Sequence, residues 1–173
     1  MEFQGVLSKR TLLLVGMNFY GDPFDKAASW HEENAIGELW KRFYAFLEKN
    51  PDAILHQAPE AAFYEVHLIT DDSLEKGFFD IFAGVMVDKL EGIPLSLVAK
   101  ELPATEYAHF ILRGVEIISD WQQHMLGCLD SAGLTTSYEY SVLRYDEHFK
   151  GIKDIANSRM DVYVPVKKAG MTA

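Results

Sequence analysis

Strand, helix, strand, strand: this order runs through the chain twice, and the second pass repeats residues of the first at one constant offset. Ile36 recurs as Ile117, Trp40 as Trp121, Tyr64 as Tyr145, His67 as His148, Asp80 as Asp161 and Val85 as Val166. Conservative pairs fill the intervals: Glu65 with Asp146, Ile81 with Val162, Phe82 with Tyr163. The opening strands align only if the first half carries an insertion ahead of its helix. A repeat found early constrains the fold more than any local propensity. Two like modules side by side create an interface lined by equivalent residues, and pockets favour such interfaces.

The elements follow from apolar periodicity. Thr11 to Tyr20 reads as a buried strand closed by the turn Gly21-Asp22-Pro23. Lys26 to Lys49 reads as a helix, with Ile36, Leu39, Trp40, Phe43 and Leu47 forming an apolar stripe. Ala61 to Thr70 and Phe78 to Asp88 read as strands joined by a hairpin loop over Asp71 to Gly77. In the second half, Glu106 to Leu112 is a strand and Val115 to Ala132 a helix. Ser137 to His148 and Met160 to Lys167 are strands. The predicted class is α+β, two pseudo-twofold-related strand–helix–strand–strand modules with antiparallel sheets and a ligand groove between them. One domain spans 1–173, with module one at about 11–90 and module two at about 104–168.

Composition removes several functions. Sixteen Lys and Arg against 26 Asp and Glu leave a net charge of −10, which repels a nucleic-acid polyanion and favours cationic ligands. A single cysteine, Cys128, excludes a disulfide framework and any cysteine-based zinc site, and its neighbours make it a core residue. No apolar run approaches the ~20 residues of a bilayer span, and nothing near Met1 resembles a signal peptide. A cytoplasmic protein without membrane association is expected. No nucleophile elbow, phosphate-binding glycine loop or dinucleotide fingerprint occurs. No cofactor and no metal is expected. His67 and His148 stand near Glu65 and Glu147, but spacing places no third ligand, so hydrogen-bonded or solvated imidazoles are the better reading. His31-Glu32-Glu33 reads as the charged start of a helix.

Several segments, taken in order, carry a resemblance: Val15-Gly16 closing an apolar strand, Leu39-Trp40-Lys41-Arg42-Phe43 on the first helix, and Gly77-Phe78-Phe79-Asp80 leading into Ala83-Gly84-Val85. Further on come Pro103-Ala104, Tyr107-Ala108, Phe110 and Gly114, then Trp121, Arg144-Tyr145-Asp146-Glu147 and Tyr163-Val164-Pro165-Val166. So arranged, the chain resembles the GyrI-like effector-binding family, found alone and as the ligand-sensing half of AraC-type and MerR-type regulators. The resemblance implies a groove that takes bulky, often cationic, aromatic molecules. Some stand-alone members act on DNA gyrase, and some hydrolyse cyclopropane-bearing toxins.

The resemblance turns the repeated aromatics into site candidates. Trp40 and Trp121 would present indole faces to the groove from its flanking helices, and aromatic faces attract cations. Tyr64, Phe82, Tyr145 and Tyr163 would line it from the inner strands. One departure matters: the family's pocket glutamate falls on Leu143, with Ala62 as the first-half counterpart. A leucine neither attracts a cation nor activates a water, so no catalytic residue is assigned. Glu139, which shares Leu143's strand parity, Glu65 and Asp80 are the carboxylates that would substitute. The ten residues ahead of the first strand leave no room for a helix-turn-helix. The expected function is therefore binding of a hydrophobic, aromatic and cationic small molecule by a stand-alone sensor or sequestering protein, with a regulator or gyrase as possible protein partner. A toxin hydrolase and a gyrase-binding interaction module remain the alternatives.

Overall fold

The computed structural model describes residues 1–24 and 33–170. It is α+β and built on one antiparallel sheet. The strands are β1 (Glu2–Lys9), β2 (Leu12–Gly21), β3 (Phe63–Leu68), β4 (Phe79–Met86), β5 (Val98–Leu102), β6 (Thr105–Arg113), β7 (Leu134–Thr136), β8 (Tyr140–Tyr145) and β9 (Arg159–Lys168). The helices are α1 (Ala35–Lys49), α2 (Asp71–Lys76) and α3 (Trp121–Ser131), with 3₁₀ helices at Gly114–Ile118 and Ile152–Asn157. The sheet order is β1-β6-β9-β8-β3-β4-β2-β5, with β7 attached to β9.

Topology forces this sheet to curl. Only Arg10 and Thr11 link β1 to β2, yet β6, β9, β8, β3 and β4 separate those strands in the sheet. Laid flat, six strand spacings would span about 29 Å, whereas a two-residue link reaches only about 10 Å. Pro103 and Ala104 impose the same closure between β5 and β6. The concave face accordingly buries itself. Leu12, Leu14, Tyr64, Val66, Phe82, Leu102, Tyr107, Tyr140, Val142 and Tyr163 form one core cluster that contains no helix residue. The helices pack on the convex face, α1 over Val15, Val85 and Ala83, and α3 over Leu143, Val162 and Val164.

Several sequence expectations change here. The first ten residues hold β1, an edge strand paired with β6. The predicted helix Val115–Ala132 breaks at Ser119 and Asp120 into a 3₁₀ helix and α3. The expected hairpin loop at Asp71–Gly77 is the short helix α2, closed by Gly77 at φ 71°. Of the predicted helix Lys26–Lys49, residues 26–32 lie outside the described residues, as do His31 and Glu32; Asn34 caps α1 through a 2.8 Å bond to the Gly37 amide. The alignment of Tyr64 with Tyr145 does not hold in space. Strand parity puts Tyr64 on the concave face and Tyr145 on the convex one. In the ladders Ile81 pairs with His67, whereas Val162, its counterpart at the constant offset, pairs with Leu143 and not with His148.

Candidate functional site

A cavity of about 320 Å³ opens on the convex face between α1 and the two 3₁₀ helices. Trp40 and Tyr44 of α1 form one wall: four residues apart, they share a helix face, and their rings stack at 5.6 Å. Ile117, Ile118 and Ile152 form the opposite wall, and Glu65, Tyr145 and Met160 rise from the central strands as its floor. Tyr145 meets Trp40 edge-on at 5.7 Å and Phe149 at 4.8 Å, so four aromatic rings enclose the space from α1 round to the segment after β8.

Glu65 is the unusual member of this apolar lining, because it is fully buried. A buried carboxylate is costly unless hydrogen bonds satisfy its oxygens. Here the Trp40 indole Nε1–H donates to Oε2 at 2.5 Å and His67 Nε2 lies 2.6 Å from Oε1. Burial, reinforced by the Glu65 charge, holds the Tyr145 phenol well above its usual pKa, so it remains a donor. The Tyr44 phenol is raised for the same two reasons. The result is an acceptor fixed at the floor of a ring-lined cavity.

The strand register explains how a carboxylate reached this place. Leu143, the position at which the family pattern puts its glutamate, is fully buried in the core beneath α3. Its direct cross-strand partner is Glu65. Antiparallel partners point to the same face, so the acid is supplied from β3 where β8 offers a leucine.

Of the residues singled out in the sequence, the cavity brings together Trp40, Tyr145 and Glu65. Trp121, 3% exposed, opens α3 and packs against Met125 and Leu129 in the core. Tyr64, Phe82 and Tyr163 belong to the concave core, on the far side of the sheet. There Lys9 Nζ sits 4.0 Å from the centre of the Tyr163 ring, and His109 stacks on that ring at 4.7 Å. Asp161, also buried, binds His109, Arg144 and Arg159, while Asp80 binds Lys100. Glu139 is exposed in the turn before β8, and His148 in the turn after it. Tyr44, Phe149, Ile118 and Ile152 were not among the sequence candidates, and Ile117 was read only as the repeat partner of Ile36. Tyr44 was detectable as the residue one turn beyond Trp40, and His67 is hydrogen-bonded to Glu65, one of the two states expected for it.

Residues 10–166 match the family model described as Cass2, integron-associated effector binding protein. The transcriptional regulator BrlR of Pseudomonas aeruginosa is 26% identical over 164 residues, which are 93% of this chain and 54% of BrlR. The chain thus spans about half the length of that curated relative. The solved structure of SAV2435 bound to tetraphenylphosphonium superposes with a TM-score of 0.65 at 19% identity, over 96% of this chain and 94% of that one. EcmrR, solved in complex with DNA, gives a TM-score of 0.68 at 13% identity, over 98% of this chain and 59% of EcmrR. At these identities the two structures establish a shared fold.

Proposed function

We propose, for a chain that belongs to the Cass2 family of integron-associated, GyrI-like effector-binding proteins, that it takes up a bulky hydrophobic cation in the cavity between α1 and the 3₁₀ helices. Family membership makes it a small-molecule binding protein; the cation preference is our reading. The observation that carries it is Glu65, a carboxylate with no exposed surface at the floor of an aromatic cavity. A cation entering there gains a fixed counter-charge in a poorly screened site and the faces of Trp40, Tyr44 and Tyr145. The tetraphenylphosphonium in SAV2435 is a guest of this chemistry, and BrlR and EcmrR support a role as an effector sensor linked to transcription regulation.

A thermal-shift comparison of tetraphenylphosphonium with neutral triphenylphosphine oxide tests the reading. Ligand at about 100 times its Kd stabilises the folded state by about 2.7 kcal/mol. The cation is expected to raise Tm at lower concentration than the neutral compound. Equal shifts would remove the cation preference, and no shift with any aromatic guest would remove the binding site.

A second reading has one observation in its favour. Glu65 lies beside His67 inside the cavity and not on its rim, where a carboxylate can accept a proton from water attacking a strained electrophile. Turnover of a cyclopropane-bearing electrophile that is lost in Glu65→Gln would establish a hydrolase.

A further inference from the structure

Cation binding leaves unaccounted for the imidazole held against Glu65, the acid at the cavity floor. His67 Nε2 sits 2.6 Å from Glu65 Oε1, and its side chain is 12% exposed against 1% for Glu65. The imidazole therefore touches both the buried carboxylate and a path to solvent. Among Glu65's partners it is also the group suited to change charge under mild conditions. An indole N–H stays protonated, and the Tyr145 phenol is held in its protonated form. Imidazole as a class gains and loses its proton between pH 5 and 8.

The surroundings supply little competing charge. From α1 come Trp40, the Tyr44 phenol and Lys41, whose ammonium pairs with Glu38 at 2.8 Å. From β4 and β8 the cross-strand partners of His67 are Ile81 and Ser141, neither charged. The 3₁₀ helices contribute Ile117, Ile118 and Ile152. Asp80 and Arg144 point to the other face of the sheet, across from Leu68 and Tyr64.

We propose that His67 makes this cavity a proton-exchange site, an inference that rests on the cation reading above. With the cavity empty, the His67 imidazolium is the counter-ion of Glu65. A guest cation entering beside Glu65 would put two positive charges against one carboxylate, so the imidazolium gives way. Its Nδ1–H bond breaks, the electron pair stays on nitrogen, and the proton passes to solvent. The neutral ring keeps the Nε2 proton it donates to Glu65, and Glu65 remains a carboxylate facing the guest. When the guest leaves, the ring recovers a proton from water. The guest is thus held more tightly at higher pH and released by acid.

Isothermal titration of the full chain with tetraphenylphosphonium at pH 6.5, in buffers of differing ionisation enthalpy, reads this directly. Protons should be released as the cation binds, and Kd should fall as pH rises, by at most about tenfold per pH unit. Triphenylphosphine oxide should release none. His67→Gln should bind the cation more tightly than the parent at acid pH, with no proton released. Cation binding whose enthalpy is the same in every buffer overturns the proposal while leaving the cation reading intact. Proton release that persists in His67→Gln also overturns it. Failure of any lipophilic cation to bind at any pH overturns the cation reading first. The buffer series on the parent chain decides the question even if His67→Gln does not fold.

Discussion

Glu65→Gln isolates charge from shape. The amide keeps the size of the carboxylate, its oxygen can still accept from the Trp40 indole, and its NH₂ can donate to an unprotonated His67 nitrogen. The shape of the shell therefore survives, but one partner of the buried His67–Glu65 pair is lost, so Tm should fall. A guest cation loses its counter-charge. Two unit charges about 4 Å apart at an effective dielectric of about 20 attract by about 4 kcal/mol. Part of that is offset in the parent protein by desolvation of the guest and loss of the charge on His67. The aromatic faces act on both variants alike, contributing up to about 2 kcal/mol. The expected net loss is about 2 kcal/mol, roughly thirtyfold in Kd for tetraphenylphosphonium, with less than about threefold for triphenylphosphine oxide. Titration calorimetry on both proteins with both ligands gives the four constants. Equal losses for the two ligands, or an unchanged cation Kd, would refute Glu65 as the selective charge.

Two further outcomes concern the fold. Phe43 is fully buried between α1 and the convex face; Phe43→Ala should cost about 3–5 kcal/mol and lower Tm by about 6–20 °C, and a calorimetric fall under about 2 °C would contradict its place in that core. Burial raises the phenols of Tyr64, Tyr107, Tyr145 and Tyr163, that of Tyr163 to about 12. A folded-state pKa above the unfolded value of about 10 contributes stability that is full below pH 10 and lost as pH rises through the folded values. Tm should therefore decline from about pH 10 upward, and phenolate absorbance for these rings should appear only on unfolding; ionisation of all eight tyrosines near pH 10 in folded protein would contradict it.

The central strands and α1 were legible in the sequence because each buries a periodic apolar set. Leu12–Gly21, Phe79–Met86 and Arg159–Lys168 pack on one or both faces, and α1 carries Ile36, Leu39 and Phe43 on a single stripe. The edges were not. Glu2–Lys9 and Val98–Leu102 are largely exposed, so their residues carry little hydrophobic signal, and pairing with β6 and β2 decides their conformation. The same limit applied to the break at Ser119 and Asp120, where apolar residues continue at helical spacing across a change of helix type.

Residue types and their spacing thus determined an α+β chain, with Trp40, Tyr145 and Glu65 among its candidates. Which aromatics share a space was decided by tertiary structure. A strand shows its two faces alternately, and one step of register exchanges them; the ladder places Tyr145 above the sheet and Tyr64 beneath it. The acid was settled in the same way. Glu65 and Leu143 are distant in sequence and adjacent across β3 and β8, and only hydrogen-bond register between those strands could put a carboxylate where the local pattern of β8 offers none.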